Sequence, residues 1–209
     1  MALFFPGNSG DFESCIEGRA SGGLIIDEEI VIDPGTGFVV KSRKLNPKTV
    51  VVSCDEPLFN NDLKILIERF KPKESSPEIK TIGEKTRSFI ITAQKYILGY
   101  IAKAELTKKF AEEFRDANIL VIHCTQGKEY LSIEDMINLI EYVNPELVIL
   151  TGFNHNIDPL EFSRHIKREL KKYKDSLKTQ IIPAKEGMTI NPESYNIKLK
   201  QKSLKGFIG

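Results

Sequence analysis

At 209 residues, 41% of them apolar, the chain is long enough to bury a substantial core as one domain, or as two small ones. With 30 basic residues against 29 acidic ones, no net field draws it to nucleic acid or a membrane surface. No apolar run approaches the roughly 20 residues that span a bilayer. Cys15, Cys54 and Cys124 are too few and too scattered for a disulfide framework or a paired-cysteine zinc knuckle, which points to a reducing cytoplasm. Abundant Lys, Glu and Ile with no Trp lean towards a thermophile.

The opening Met-Ala-Leu-Phe-Phe-Pro lacks a basic leader and a cleavage pattern, so it reads as a first strand. Leu24 to Ile26 and Ile30 to Ile32 read as paired strands, the second ending in the turn Asp33-Pro34-Gly35-Thr36-Gly37. Thr49 to Ser53 is a strand, and Leu63, Ile65, Leu66, Ile67 and Phe70 mark the helix after it. A polar loop from Lys71 to Glu78 leads to strands around Ile79 to Ile82, Phe89 to Thr92 and Tyr96 to Ile101. A helix near Leu106 to Phe114 precedes a buried-type strand, Ile119 to Ile122. Ser132-Ile133-Glu134-Asp135 has the form of a capping box, and its helix stops before Pro145. Leu147 to Leu150 is a strand, Pro159 opens a helix reaching Tyr173, and Gln180 to Ile182 and Met188 to Ile190 close the pattern. Hairpins first, then strands alternating with helices, predict mixed sheets covered by helices.

Five short stretches carry a resemblance. They are Ser21-Gly22-Gly23 with Ile32-Asp33-Pro34-Gly35; Val50-Val51-Val52-Ser53 with Asn61-Asp62; Gly99-Tyr100 with Glu105-Leu106; Leu131-Ser132-Ile133-Glu134-Asp135; and Leu150-Thr151. In this order, from Met1 to Ile190, the chain resembles the metallo-β-lactamase superfamily. The resemblance implies that family's αββα sandwich, a four-layer α/β fold with mixed sheets, over residues 1–192, with a basic tail over 193–209.

The same resemblance implies a metal loop, His-x-His-x-Asp-His, whose imidazoles and carboxylate surround two metals that activate water. The matching stretch is Cys54-Asp55-Glu56-Pro57-Leu58-Phe59. Cys54 and Glu56 stand for the two leading histidines, while Leu58 and Phe59 stand for the aspartate and the closing histidine. Lys103 falls where the bridging aspartate would be, Tyr130 and Gly152 where two further histidines would be, and the region Thr86 to Ile91 holds no histidine. The family's site takes five histidines, and this chain has three: His123, His155 and His165. The family reaction is therefore unsupported, and no cofactor is expected. An ammonium at 103 supplies positive charge where metals would sit, so Lys103 is expected to meet Glu56 or Asp55 in that pocket.

Other readings stay open. A single zinc held near Cys54 and Cys124, with Glu56 and His155 at hand, would suit mixed sulfur, nitrogen and oxygen ligands, though no pair has diagnostic spacing. Cys54 as a nucleophile needs a base and a lowered pKa, and the sequence shows neither. Gly35 and Gly37 are turn residues rather than a phosphate loop, since no Gly-Lys-Ser/Thr follows. Arg164 to Lys178 holds seven basic and two acidic residues, which reads as a solvated helix face. Gln201, Leu204, Phe207 and Ile208 have spacing that resembles the peptide that docks on the replication sliding clamp, with Ile208 where a second aromatic is usual; the other reading is a tail that packs on its own domain or on a sister subunit. The expected role is that of a non-catalytic binding or regulatory protein. The alternatives are a hydrolase of phosphoester or related substrates with a rebuilt one-metal or thiol site, and a structural partner in a homo-oligomer.

Overall fold

The computed structural model describes residues 1–16, 18–42, 45–76, 78–173 and 179–195. The clamp-like segment, Gln201 to Ile208, lies outside the described residues.

Among the described residues, eleven strands form two mixed sheets. The first holds β1 (Leu3–Phe5), β2 (Leu24–Ile26), β3 (Ile30–Ile32), β4 (Thr49–Val51) and β11 (Met188–Ile190), in the order β11-β1-β2-β3-β4. The second holds β5 (Ile79–Ile82), β6 (Ser88–Ala93), β7 (Tyr96–Ile101), β8 (Ile119–His123), β9 (Leu147–Thr151) and β10 (Gln180–Pro183), in the order β10-β9-β8-β7-β6-β5. Strands β7 to β10 run parallel, as do β3 and β4; the remaining pairs are antiparallel.

Period-two alternation divides each strand between two cores. Leu3, Ile26, Ile32 and Val51 of the first sheet meet Leu98, Tyr100, Ile119 and Val121 of the second in an inner core between the sheets. The alternate residues Leu120, Ile122 and Val148 face the outer helices. These helices are α5 (Lys108–Glu113), α6 (Ile133–Val143) and α7 (Pro159–Tyr173). On the other outer face, Ile25, Val31 and Val50 pack with Phe38 of α2 (Phe38–Lys41) and Leu66 of α4 (Leu63–Phe70). The result is helix, sheet, sheet, helix: the expected four-layer αββα sandwich.

The helix boundaries follow from caps. Ser132 accepts from the Asp135 N–H, and the Asp135 carboxylate answers the Ser132 backbone. Thr107 accepts from the Phe110 N–H, so α5 starts at Lys108 and not at Leu106. Three short helices were not expected: α1 (Phe12–Ile16), α2 and α3 (Pro57–Asn60). Packing continues past residue 192, where a 3-10 turn, Pro192–Tyr195, seats Tyr195 against the inner core. Among the described residues, no helix is long and apolar enough to cross a membrane.

Candidate functional site

The parallel strands β3, β4, β7, β8 and β9 all end on one edge of the sandwich, where sites in layered folds are built. Five chain segments converge there, at Asp33, Ser53 to Phe59, Lys103, His123 to Tyr130 and Gly152. Two linked clusters result.

The inner cluster is a buried hydrogen-bond network. Asp33 follows β3 with a left-handed φ of 52°, breaking the alternation after Ile32 so that its carboxylate reaches Ser53 and Tyr100. Its Oδ1 accepts from the Ser53 N–H at 2.6 Å and its Oδ2 from the Ser53 hydroxyl at 2.8 Å. The Tyr100 Oη lies 2.8 Å from Asp33 Oδ2 and 2.8 Å from His123 Nε2. Tyr100 has one proton to give, and the carboxylate accepts it; the His123 Nε2 must then be the protonated nitrogen, donating to Oη. Its Nδ1 is left an acceptor, shielded from solvent and without a partner among the described residues.

Burial governs the charges in this cluster. It pushes His123 down to about 4, only partly opposed by the Gly22 carbonyl, so the imidazole is neutral at pH 7. Burial raises Asp33 to about 6, against the pull of its Ser53 and Tyr100 donors and the charge of Arg87. It also raises Tyr100 well above the ordinary phenol value, helped by the Asp33 charge.

The outer cluster is ionic. Lys103 is 4% exposed, and its ammonium sits 2.5 Å from Glu56 and 2.8 Å from Glu129, over the Tyr130 ring at 5.1 Å. Burial draws the lysine down, but the hydrogen bonds it donates to Glu129 and Glu56 outweigh burial and hold it above its ordinary value. The expected meeting of Lys103 with Glu56 is present; Asp55 instead accepts from the Asn60 side chain at 2.6 Å.

Cys54 is buried in the inner core between the clusters, and its thiol is pushed up to about 12 by burial and then by the charges of Glu56 and Asp33. Leu58 and Phe59 are buried in the same core. The Phe59 ring lies 5.6 Å from the His123 ring, which Tyr100 meets edge-on at 5.4 Å. Gly152 has a φ of 63°, and a Cβ there would fall 2.4 Å from His123 Nδ1. Cys54, Glu56, Leu58, Phe59, Lys103, Tyr130 and Gly152 thus lie around this edge of the sandwich.

Cys124 and His155 do not join them. Cys124 points into the helix-side core, with its Sγ against the Ile122 carbonyl at 3.7 Å. His155 is an exposed loop residue whose Nδ1 meets Asp11 at 3.0 Å and Glu13 at 2.9 Å. The zinc set of Cys54, Cys124, Glu56 and His155 is therefore not assembled, because the two cysteines belong to opposite faces of the second sheet. Asp33, Ser53, Tyr100 and His123 were not expected to act as a network. The available signal was the alternation Tyr96, Leu98, Tyr100 and Ile119, Val121, His123, which turns both rings inward.

The whole architecture has close counterparts among solved structures. The YhfI protein of Bacillus subtilis, a metallo-β-lactamase-fold protein, matches with a TM-score of 0.68 at 14% identity, over 90% of this chain and 98% of that one. The chain has the metallo-β-lactamase fold. The metallo hydrolase Igni18 of Ignicoccus hospitalis matches at 0.65 and 12% identity, over 91% and 98% of the two chains. The short form of human tRNase Z matches at 0.63 and 8% identity, over 91% and 99%. No family model matches the sequence, and no curated protein does.

The donor set does not fit this fold's two-metal site. Lys103 brings a cation, Leu58, Phe59 and Gly152 bring no donor, and the Cys54 and Tyr130 groups are held in their protonated forms, each raised to about 12. Among the described residues, no three His, Cys, Asp or Glu side chains are grouped to hold a metal ion. His123 also fills the space beside Gly152, so restoring a histidine there requires moving an existing ring.

Proposed function

We propose that this chain is a metallo-β-lactamase-fold protein that has given up the fold's metal chemistry and serves as a binding or regulatory protein. One observation carries the reading. The buried Lys103 ammonium, held between Glu56 and Glu129, stands where the resemblance puts the carboxylate that bridges two metals. A cation there repels the ions that the fold's hydrolases use. The hydrolase alternative draws no support from Cys54, whose thiol is raised to about 12 where a nucleophile needs a depressed value. The proposed clamp-docking role of Gln201, Leu204, Phe207 and Ile208 is carried by their spacing alone.

The test is hydrolysis of bis(p-nitrophenyl) phosphate by the full chain with added Zn²⁺ or Mn²⁺. The expected result is no turnover above the metal-only control. Metal-dependent turnover that saturates with substrate would overturn the proposal.

A further inference from the structure

A cleft of about 260 Å³ opens on the side of the sandwich where both sheets end. Strand β4 is the edge of the first sheet and β5 the edge of the second, and no ladder joins them. Among the described residues, Lys73 pairs with the β4 edge, the Val50 N–H donating to its carbonyl at 2.9 Å. One side of the cleft is apolar, with Val50 and Val52 from the β4 segment, Leu63 and Ile67 from α4, and Phe89 from β6; Thr81, Lys73, Glu74 and Arg87 make the rest of its lining largely polar. Ile67 is 43% exposed, leaving apolar surface at the mouth.

Arg87 supplies the polar end. Its backbone N–H is fixed to the Ser53 carbonyl at 2.7 Å, which ties it to the residue that also holds Asp33. Its side chain makes no hydrogen bond or salt bridge among the described residues, and its Nε is shielded from water without a partner. A buried donor in that state destabilises the fold until an acceptor reaches it. Asp33 feels the Arg87 charge, but both of its oxygens are already occupied by Ser53 and Tyr100. Lys73 and Glu74 stand at the rim with opposite charges, so the cleft's net charge is that of Arg87.

We infer that this cleft binds a small organic monocarboxylate, its head on the Arg87 guanidinium and its apolar body against the valines, Leu63 and Phe89. A guanidinium fork matches the two oxygens of a carboxylate. A dianionic phosphate would leave charge unbalanced beside Glu74 and could make no use of the apolar side formed by the valines, Leu63 and Phe89. A cleft of about 260 Å³ has room for a short apolar chain behind the carboxylate. The inference is independent of whether the neighbouring cluster ever catalyses a reaction.

The test uses the full chain with ¹³C-labelled Val, Leu and Ile methyls, titrated with sodium octanoate and separately with 1-octanol. Octanoate should shift the Val50, Val52, Leu63 and Ile67 methyls saturably, and octanol should bind about tenfold more weakly or less. Arg87→Met should weaken octanoate about tenfold or more while leaving octanol unchanged. Should that variant fail to fold, Ile67→Trp, which fills the mouth and keeps Arg87, should abolish the octanoate shifts. Equal binding of acid and alcohol, shifts confined to other methyls, or displacement of octanoate by inorganic phosphate would each overturn the inference.

Discussion

The two clusters at the strand ends solve one problem in opposite ways. At this edge of the sandwich, polar groups have to be kept in a desolvated space. In the inner cluster no side chain reaches water: His123 is driven neutral, and Asp33 spreads its charge over the Ser53 N–H, the Ser53 hydroxyl and Tyr100. In the outer cluster Glu56 and Glu129 are 48% and 67% exposed, so full charges persist on Lys103 and both acids. The depth of a group decides whether it neutralises or pairs.

The largest expected effect sharpens that contrast through pH. His123 favours the folded state when neutral, so between its ordinary 6.5 and about 4 the unfolded chain binds more protons. Stability then falls by about 3 kcal/mol as pH drops through that window. Asp33 acts with the opposite sign. Raised from 3.8 to about 6, it binds its proton more readily when folded, and acidification through that range adds about 3 kcal/mol. The two nearly cancel between about pH 6 and 4. His123→Gln removes one of them. Urea unfolding should show that the parent's stability relative to the variant drops by about 3 kcal/mol from pH 7 to pH 4. Parallel pH profiles would mean that His123 is not held neutral by burial.

Next comes the outer pair. Lys103→Asp places a third acid beside Glu56 and Glu129 and should cost about 2–3 kcal/mol, discounted for the exposure of its partners. Lys103→Met, which keeps the buried stem and loses only the charge, should cost about 1 kcal/mol or less. Equal costs for both would show that packing, and not charge, keeps a lysine there. Removing residues 201–209 should change unfolding free energy by less than about 0.5 kcal/mol and abolish any binding to a sliding clamp. A loss of several kcal/mol would make that segment structural.

Much of the fold was legible because its elements announce themselves locally. Ser132 with Asp135, Pro159 ahead of its amphipathic helix, and the alternating strands each carry a start, a period or a stop. The one-turn helices Phe12–Ile16, Phe38–Lys41 and Pro57–Asn60 are too short to show a period. Lys103 with Glu56 was legible because like-charge and desolvation arguments need only the positions. The Asp33, Tyr100 and His123 network was not, since it depends on the left-handed turn at Asp33 and on two rings meeting across sheets. The Arg87 cleft was hidden for the same reason: its walls come from segments that no local pattern connects.

The central claim is that the site's residues hold a paired lysine and a neutral histidine in place of two metals. Elemental analysis of the purified chain after growth with Zn, Mn and Fe tests it most directly. The account predicts less than about one equivalent of these metals in total per chain, unchanged in Lys103→Asp because Leu58, Phe59 and Gly152 still supply no donor. Two tightly held metal ions per chain would contradict it.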